Sequence, residues 1–149
     1  MLEFLPLKSV TSLQLLYICN MKTKRKSLID KLDKEFSIYI RNRDAKGGIA
    51  ECVTCGIQKE VKQLQCGHFM SRKHYSTRWD EVNCQVQCYT CNVMRYGEQY
   101  KFGLYLNSHY VSDMAEQLLN KSRETVKLAD WELEEMIENY KIKNKKLGL

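Results

Sequence analysis

Two cysteine pairs stand out by spacing. Cys52-Val-Thr-Cys55 and Cys88-Tyr-Thr-Cys91 are separated by residues 56–87, and Asn92 follows directly on the last thiol. A Cys-x-x-Cys turn folds back on itself and offers two sulfurs to one ion, and Zn²⁺ takes four tetrahedral ligands, commonly thiolates. The pairs therefore predict a structural zinc site made by Cys52, Cys55, Cys88 and Cys91. Gly56, just after Cys55, permits the tight knuckle turn. Two further cysteines, Cys66 and Cys84, fall on expected strands and read as small buried residues rather than as a fifth ligand.

Inside this frame lie Gly67-His68-Phe69 and Asn83. A lone histidine is usually a satisfied polar residue, but here the context adds chemistry. Hydrolysis of a phosphodiester needs a base for water, a divalent ion on the phosphate and a rigid frame. Neutral imidazole at His68 suits the base. Asn83, on the facing strand, can hold a loop by backbone hydrogen bonds. Asn92 can offer an oxygen to Mg²⁺, a hard cation that prefers oxygen ligands. A hairpin and a helix carrying His, Asn and Asn form the ββα-metal, or HNH, arrangement of nucleases.

The elements that must position these groups follow from pattern. Leu28, Leu32, Phe36 and Ile40 recur every fourth residue and predict a helix from a Ser27 cap to about Asp44, ended by Gly47-Gly48. Arg41 and Arg43 near its end can reach phosphate. Residues 64–69 and 82–87 read as the two strands, with a loop at 70–81 carrying Arg72, Lys73, His74 and Arg78. Of these, Arg72, Lys73 and Arg78 are candidate DNA contacts, and Arg72 and Arg78 can also clamp a phosphate. Tyr75 and Trp79 can stack on exposed bases, and Trp79 can equally pack in the core. A short helix is expected from Tyr89 to Gly97. A second, from Glu98 to about Asn107, carries Tyr100, Leu104 and Tyr105. A third spans Ser112 to about Asn120 with Met114 and Leu118 inward. Asp130 is the expected cap of a last helix, striped by Leu133, Met136, Ile137 and Tyr140. The lysines at its end (141, 143, 145 and 146) read as a solvated face.

Composition bounds the class. The 149 residues carry a formal charge of +6, with one Pro and seven Gly, as suits one ordered domain and an anionic partner. An odd count of seven cysteines at zinc-type spacing favours reduced thiols over disulfides. No apolar run approaches a membrane span of about 18 residues. Residues 1–20 are read as an N-terminal extension from an upstream start. Residues 21–149 form the single domain, with its zinc core at 50–97.

Cys-x-x-Cys, Gly-His-Phe, Ser-Arg, Thr-Arg-Trp-Asp, Asn and Gln-Cys-x-x-Cys-Asn together resemble the NinG/Rap recombination nucleases of lambdoid phages. Leu32 to Arg41 and Gly97 to Leu106 extend the likeness to about residues 28–145. The arrangement is also similar to that of phage endonuclease VII. The resemblance implies an α+β fold, a zinc-stabilised treble-clef HNH core with flanking helices. It implies a metal-dependent endonuclease acting on branched DNA, such as D-loops and Holliday junctions, in the cytoplasm of a bacterial host. In that reading His68 is the base, Asn92 a ligand of catalytic Mg²⁺ or Mn²⁺, and DNA the partner, with a homodimer allowed and no membrane. One position departs: many HNH sites carry Asp or His just before the base, where this chain has Gly67. Either His68 plays a different part or another residue supplies the second metal ligand, with Asp80 or Glu81 the candidates and His74 a weaker alternative. Three other readings stay open: a zinc-finger DNA-binding protein without catalysis, an HNH enzyme of restriction or homing type, and a purely structural zinc protein.

Overall fold

The computed structural model describes residues 12–149, and their side chains except at 14–17. Helix α1 (Ser12–Asn42) leads into two small antiparallel hairpins, β1 (Ile49–Glu51) with β2 (Gln58–Glu60) and β3 (Leu64–His68) with β4 (Cys84–Cys88). A π-helical turn over Thr90–Met94 follows, then α2 (Gln99–His109), α3 (Met114–Ser122) and α4 (Asp130–Lys146). This is a mixed α+β architecture in which helices from both ends of the chain cover the second hairpin. No described helix is long and apolar enough to cross a membrane.

The main core forms where the four-residue stripe of α1 meets α4. Leu28, Leu32, Phe36 and Ile40 are buried against Leu133, Ile137 and Tyr140, and Trp79, Cys66 and Cys84 close the cluster from the hairpin side. Each such apolar side chain taken out of water contributes about 1.5–3 kcal/mol. Trp79 is thus a core residue; its indole N–H donates to Asp33 Oδ1 at 2.8 Å. A second cluster surrounds the cysteine pairs, with Ala50, Leu64 and Val86. A third joins Phe102, Leu106 and Leu118 under Phe69 and Val82. On α2 the buried face is therefore Phe102 and Leu106, while Tyr100 and Leu104 are exposed.

Two boundaries differ from expectation. The first helix does not start at Ser27 but runs on from Ser12, so Ser27 is a helical residue and not a cap. Tertiary contacts hold the turn just before Ser27: Arg25 donates to Asp130 Oδ1 at 2.5 Å and to the Leu128 carbonyl at 2.7 Å, and Lys24 lies 3.6 Å from Glu134. The helix therefore crosses the expected boundary at residue 20, while residues 1–11 of the expected extension lie outside the described residues. Asp130 likewise does not cap α4. Ala129 holds the cap position, and its N–H donates to Glu132 Oε2 at 2.6 Å, which leaves Asp130 for Arg25.

Candidate active site and metal centre

The knuckle after β1 brings Cys52 and Cys55 together. Gly56 takes φ +74°, and its N–H closes the turn on the Cys52 carbonyl at 2.8 Å. Cys88 ends β4, and Cys91 sits in the π-helical turn one residue before Asn92. All four sulfurs lie within 4.8 Å of one another, and Cys55 and Cys88 are 3.8 Å apart. Four thiolates about 2.3 Å from one ion stand about 3.8 Å apart, so the cluster has the size of a Zn²⁺ site. Polar support lies behind it: Gln87 donates to Thr54 Oγ1 at 3.3 Å, and Thr54 Oγ1 lies 3.3 Å from Cys52 Sγ. Burial raises the Cys52 thiol, but the Thr54 hydroxyl and nearby backbone N–H groups outweigh it and bring it down to about 6. Burial, with neighbouring thiols adding to it, lifts Cys91 to about 12. Such like-charge crowding is what a divalent cation relieves, so the donor set fits zinc.

Beside this cluster opens a cleft of about 540 Å³, lined in part by Arg41, Gln65, His68, Arg72, Asn92 and Tyr96. The fold thus brings His68, Asn92 and Arg72 to one cavity. His68 Nε2 lies 3.0 Å from the Arg78 carbonyl. A carbonyl only accepts, so Nε2 carries the proton and the lone pair of the neutral ring falls to Nδ1. Burial and then the Arg72 charge push the imidazole down to about 4, so it is neutral at physiological pH. Asn92 donates Nδ2 to Gln65 Oε1 at 2.7 Å, and among the described residues its Oδ1 has no hydrogen-bond partner.

Asn83 stands behind the cleft, fully buried. Its Oδ1 accepts from the Met70 N–H at 2.6 Å, and its Nδ2 donates to the carbonyls of Met70 at 3.0 Å and Thr77 at 2.9 Å. One amide therefore ties both ends of the loop that carries Arg72, and that loop leads to the Arg78 carbonyl.

Other expected site residues go elsewhere. Arg78 grips Asp33 with Nε at 3.1 Å and a terminal nitrogen at 2.6 Å, so its fork is occupied by a carboxylate and not offered to phosphate. Burial alone would raise Asp33, but Arg78 and Trp79 hold it below the usual carboxylate range. Asp80 accepts from the N–H groups of Val82 and Asn83 and pairs with Lys121. Glu81 pairs with Lys143 and accepts from Tyr140. Neither lines the cleft, because the turn before β4 directs both toward α3 and α4. Lys143 thereby leaves the expected solvated face. Arg43 is spent on the Glu81 and Cys84 carbonyls and on Gln85. Lys73 is exposed outside the cleft lining.

Among the described residues no carboxylate lines the cleft. Its side-chain oxygen donors for a hard cation are neutral, amides and the hydroxyls of Ser37 and Tyr96, with Asn92 Oδ1 foremost. Mg²⁺ is ordinarily held by one or two carboxylates together with substrate phosphate. This donor set suits an ion carried in on a phosphate and does not suit a resident one. Gly67 has a steric reason. A Cβ there would lie 2.1 Å from Gln87 Oε1, and Gln87 is fully buried and fixed by its bonds to Gly97 O and Thr54. Alternation along β3 also turns position 67 to the face opposite His68.

Reading by motif passes over two cleft residues, Gln65 and Tyr96, and Arg41, expected to reach phosphate, joins them there. Gln65 gave a faint signal as a polar residue within a strand, and it now orients Asn92. Arg41 donates to the Val61 carbonyl at 3.1 Å and lines the cleft. Tyr96 gave no signal: it lies outside every motif, yet it adopts φ +52°, is 88% exposed and stands at the cleft lip. A left-handed tyrosine costs about 1 kcal/mol or more, so the turn that presents it is held by its surroundings. The Gly97 N–H bonds the Cys91 carbonyl at 2.9 Å and ties this turn to the cysteine site.

Fold and site define a class: a small α+β protein with a tetracysteine cluster able to hold zinc and a basic cleft beside it. The model of the family described as the bacteriophage lambda NinG protein matches residues 18–148, and the chain belongs to that NinG family. No curated protein and no solved structure matches the chain.

Proposed function

We propose that this chain is a DNA endonuclease of the HNH type, with a treble-clef zinc core and His68 as general base. The observation that carries the reading is the anchoring of His68 Nε2 on the Arg78 carbonyl, which assigns the lone pair to Nδ1 of a neutral ring at the cleft wall. That nitrogen would take a proton from the attacking water. Arg72 and Arg41 would balance charge on the phosphate, and Asn83 would keep the loop in register. Asn92 Oδ1 would be the protein oxygen for Mg²⁺ or Mn²⁺, which would supply Lewis-acid polarisation of the phosphate when bound.

The proposed partner is branched DNA in a bacterial cytoplasm. Beyond family membership, two features support unpaired or splayed DNA. Tyr96 offers an open ring at the cleft lip, and Tyr100 is 80% exposed one turn on. Aromatic rings hold unstacked bases at about 1–3 kcal/mol each. The absence of a carboxylate among the described cleft residues favours a second reading, DNA binding without cleavage. One assay separates them: a Holliday junction and its linear arms, incubated with Mg²⁺ or Mn²⁺ and with wild type or His68→Ala. Cleavage of the junction in preference to the arms, lost by roughly 10²-fold in the variant, is expected. A variant that cuts at the wild-type rate, or a wild type that binds and never nicks, refutes the catalytic reading.

A further inference from the structure

A second group of soft ligands lies outside the tetracysteine cluster. Cys66 and His68 are two residues apart on β3, and Cys84 opens β4 directly opposite His68. Strand alternation places all three on one face. Their ligand atoms lie within 4.8 Å of one another. Cys84 Sγ and His68 Nε2 share one acceptor, the Arg78 carbonyl, at 3.5 and 3.0 Å. Both cysteines are buried, while Cys66 and His68 also reach the cleft wall. Packing explains a single buried cysteine; it does not explain two thiols and an imidazole converging within reach of one ion.

We propose that Cys66, His68 and Cys84 form a second metal site for a thiophilic divalent cation, Zn²⁺ or Cd²⁺, open to the cleft at its fourth position, and that filling it silences the base. Three protein ligands with one open position is an established zinc pattern. Two sulfurs and one nitrogen select soft and borderline ions over Mg²⁺. Charge favours the place as well. Two thiolates and one dication sum to zero, which suits a pocket backed by the apolar core of α1.

The protons balance. Binding releases one proton from each thiol to solvent, and the imidazole enters neutral. If Nε2 ligates, the ring leaves the Arg78 carbonyl and its remaining proton must sit on Nδ1. If Nδ1 ligates, the metal takes the lone pair itself. Neither form can accept a proton from water. The silencing rests on His68 being the base, as proposed above; the metal site does not.

The test uses the full chain with Cys19→Ser, which removes an exposed thiol from the count. Zinc content after desalting from excess Zn²⁺ should be two equivalents per chain, and one in the Cys84→Ala and Cys66→Ala variants with unchanged circular dichroism. Should either variant misfold, Co²⁺ reconstitution of the parent protein decides. The second equivalent should add thiolate-to-cobalt absorption at about half the intensity of the first. In Mg²⁺, micromolar added Zn²⁺ should lower junction cleavage at least tenfold, read against each protein's own rate with only the tetracysteine site filled, and the cysteine variants should escape it. A single equivalent under excess zinc overturns the site. Two equivalents with undiminished cleavage overturn the silencing. If the protein with only its tetracysteine zinc in place never cleaves, the endonuclease reading fails while the stoichiometry still decides the site.

Discussion

Asn83→Ala isolates the contribution of one side chain to the cleft. The wild-type amide makes three hydrogen bonds to backbone, to both groups of Met70 and to the Thr77 carbonyl, besides a weaker one to Cys84 Sγ at 3.8 Å, with no solvent exposure. A typical internal hydrogen bond contributes about 1 kcal/mol net, and a buried group left unpaired costs about 1–3 kcal/mol. Loss of all three, partly relieved by water entering the gap, predicts a destabilisation of about 3–5 kcal/mol. For a chain of this length that lowers Tm on the order of 10 °C. The near-isosteric Asn83→Asp separates hydrogen bonding from packing. It keeps the acceptor for Met70 N–H but turns an oxygen on two carbonyls, so it should be at least as damaging as alanine. The assay is denaturant unfolding of zinc-loaded protein, with hydrogen exchange of the Met70 amide as the local readout. In both variants that amide should exchange faster, and cleavage below the melting range should fall, because loop 70–78 positions Arg72 and the His68 anchor. A loss under 1 kcal/mol for alanine, or a mild effect of aspartate beside a severe one of alanine, would refute the reasoning.

The tetracysteine site should carry folding energy: Cys91→Ser should lower zinc content and unfold the region around residues 50–97, monitored by metal analysis and circular dichroism. A melting curve unchanged by strong chelation would contradict it. Gly67→Ala should destabilise by about 1–3 kcal/mol, because the new methyl meets a buried Gln87 that cannot swing away; a neutral result in denaturant melts would show that Gln87 yields. His68 should titrate far below an ordinary histidine. With a folded value of about 4 against an unfolded value near 6.5, its contribution to stability is complete above about pH 6.5 and shrinks as pH falls toward 4, by about 3 kcal/mol in all. Its imidazole NMR shifts should stay flat from pH 8 to 5, and a midpoint near 6.5 would contradict the buried geometry.

Much of this was written locally. The four-residue stripe of α1, the stripe of α4 and the Cys-x-x-Cys spacing were legible because each is a short-range pattern with one physical use. The stripes bury one helix face, and the cysteine turns converge on one ion. The spacing that marked Cys52, Cys55, Cys88 and Cys91 needed no fold to interpret, and the strands at 64–68 and 84–88 fell within two residues of expectation. The partners of charged groups were not legible. Arg78 and Asp33 are 45 positions apart, Glu81 and Lys143 62 apart, and Arg25 and Asp130 105 apart. No local rule says that an arginine in a basic loop will be claimed by a carboxylate on the first helix, or that two acids in that loop will be claimed by lysines of the last helices. The same holds for Tyr96, whose place at the cleft lip depends on a left-handed turn tied to Cys91, and for Cys66, His68 and Cys84, which come within reach of one ion only when β3 and β4 pair. The sequence alone determined which residues can bury and which can ligate. The tertiary structure decided which charges remained available, because an ion pair forms between whichever opposite charges the fold brings within about 4 Å and takes both out of reach of a ligand.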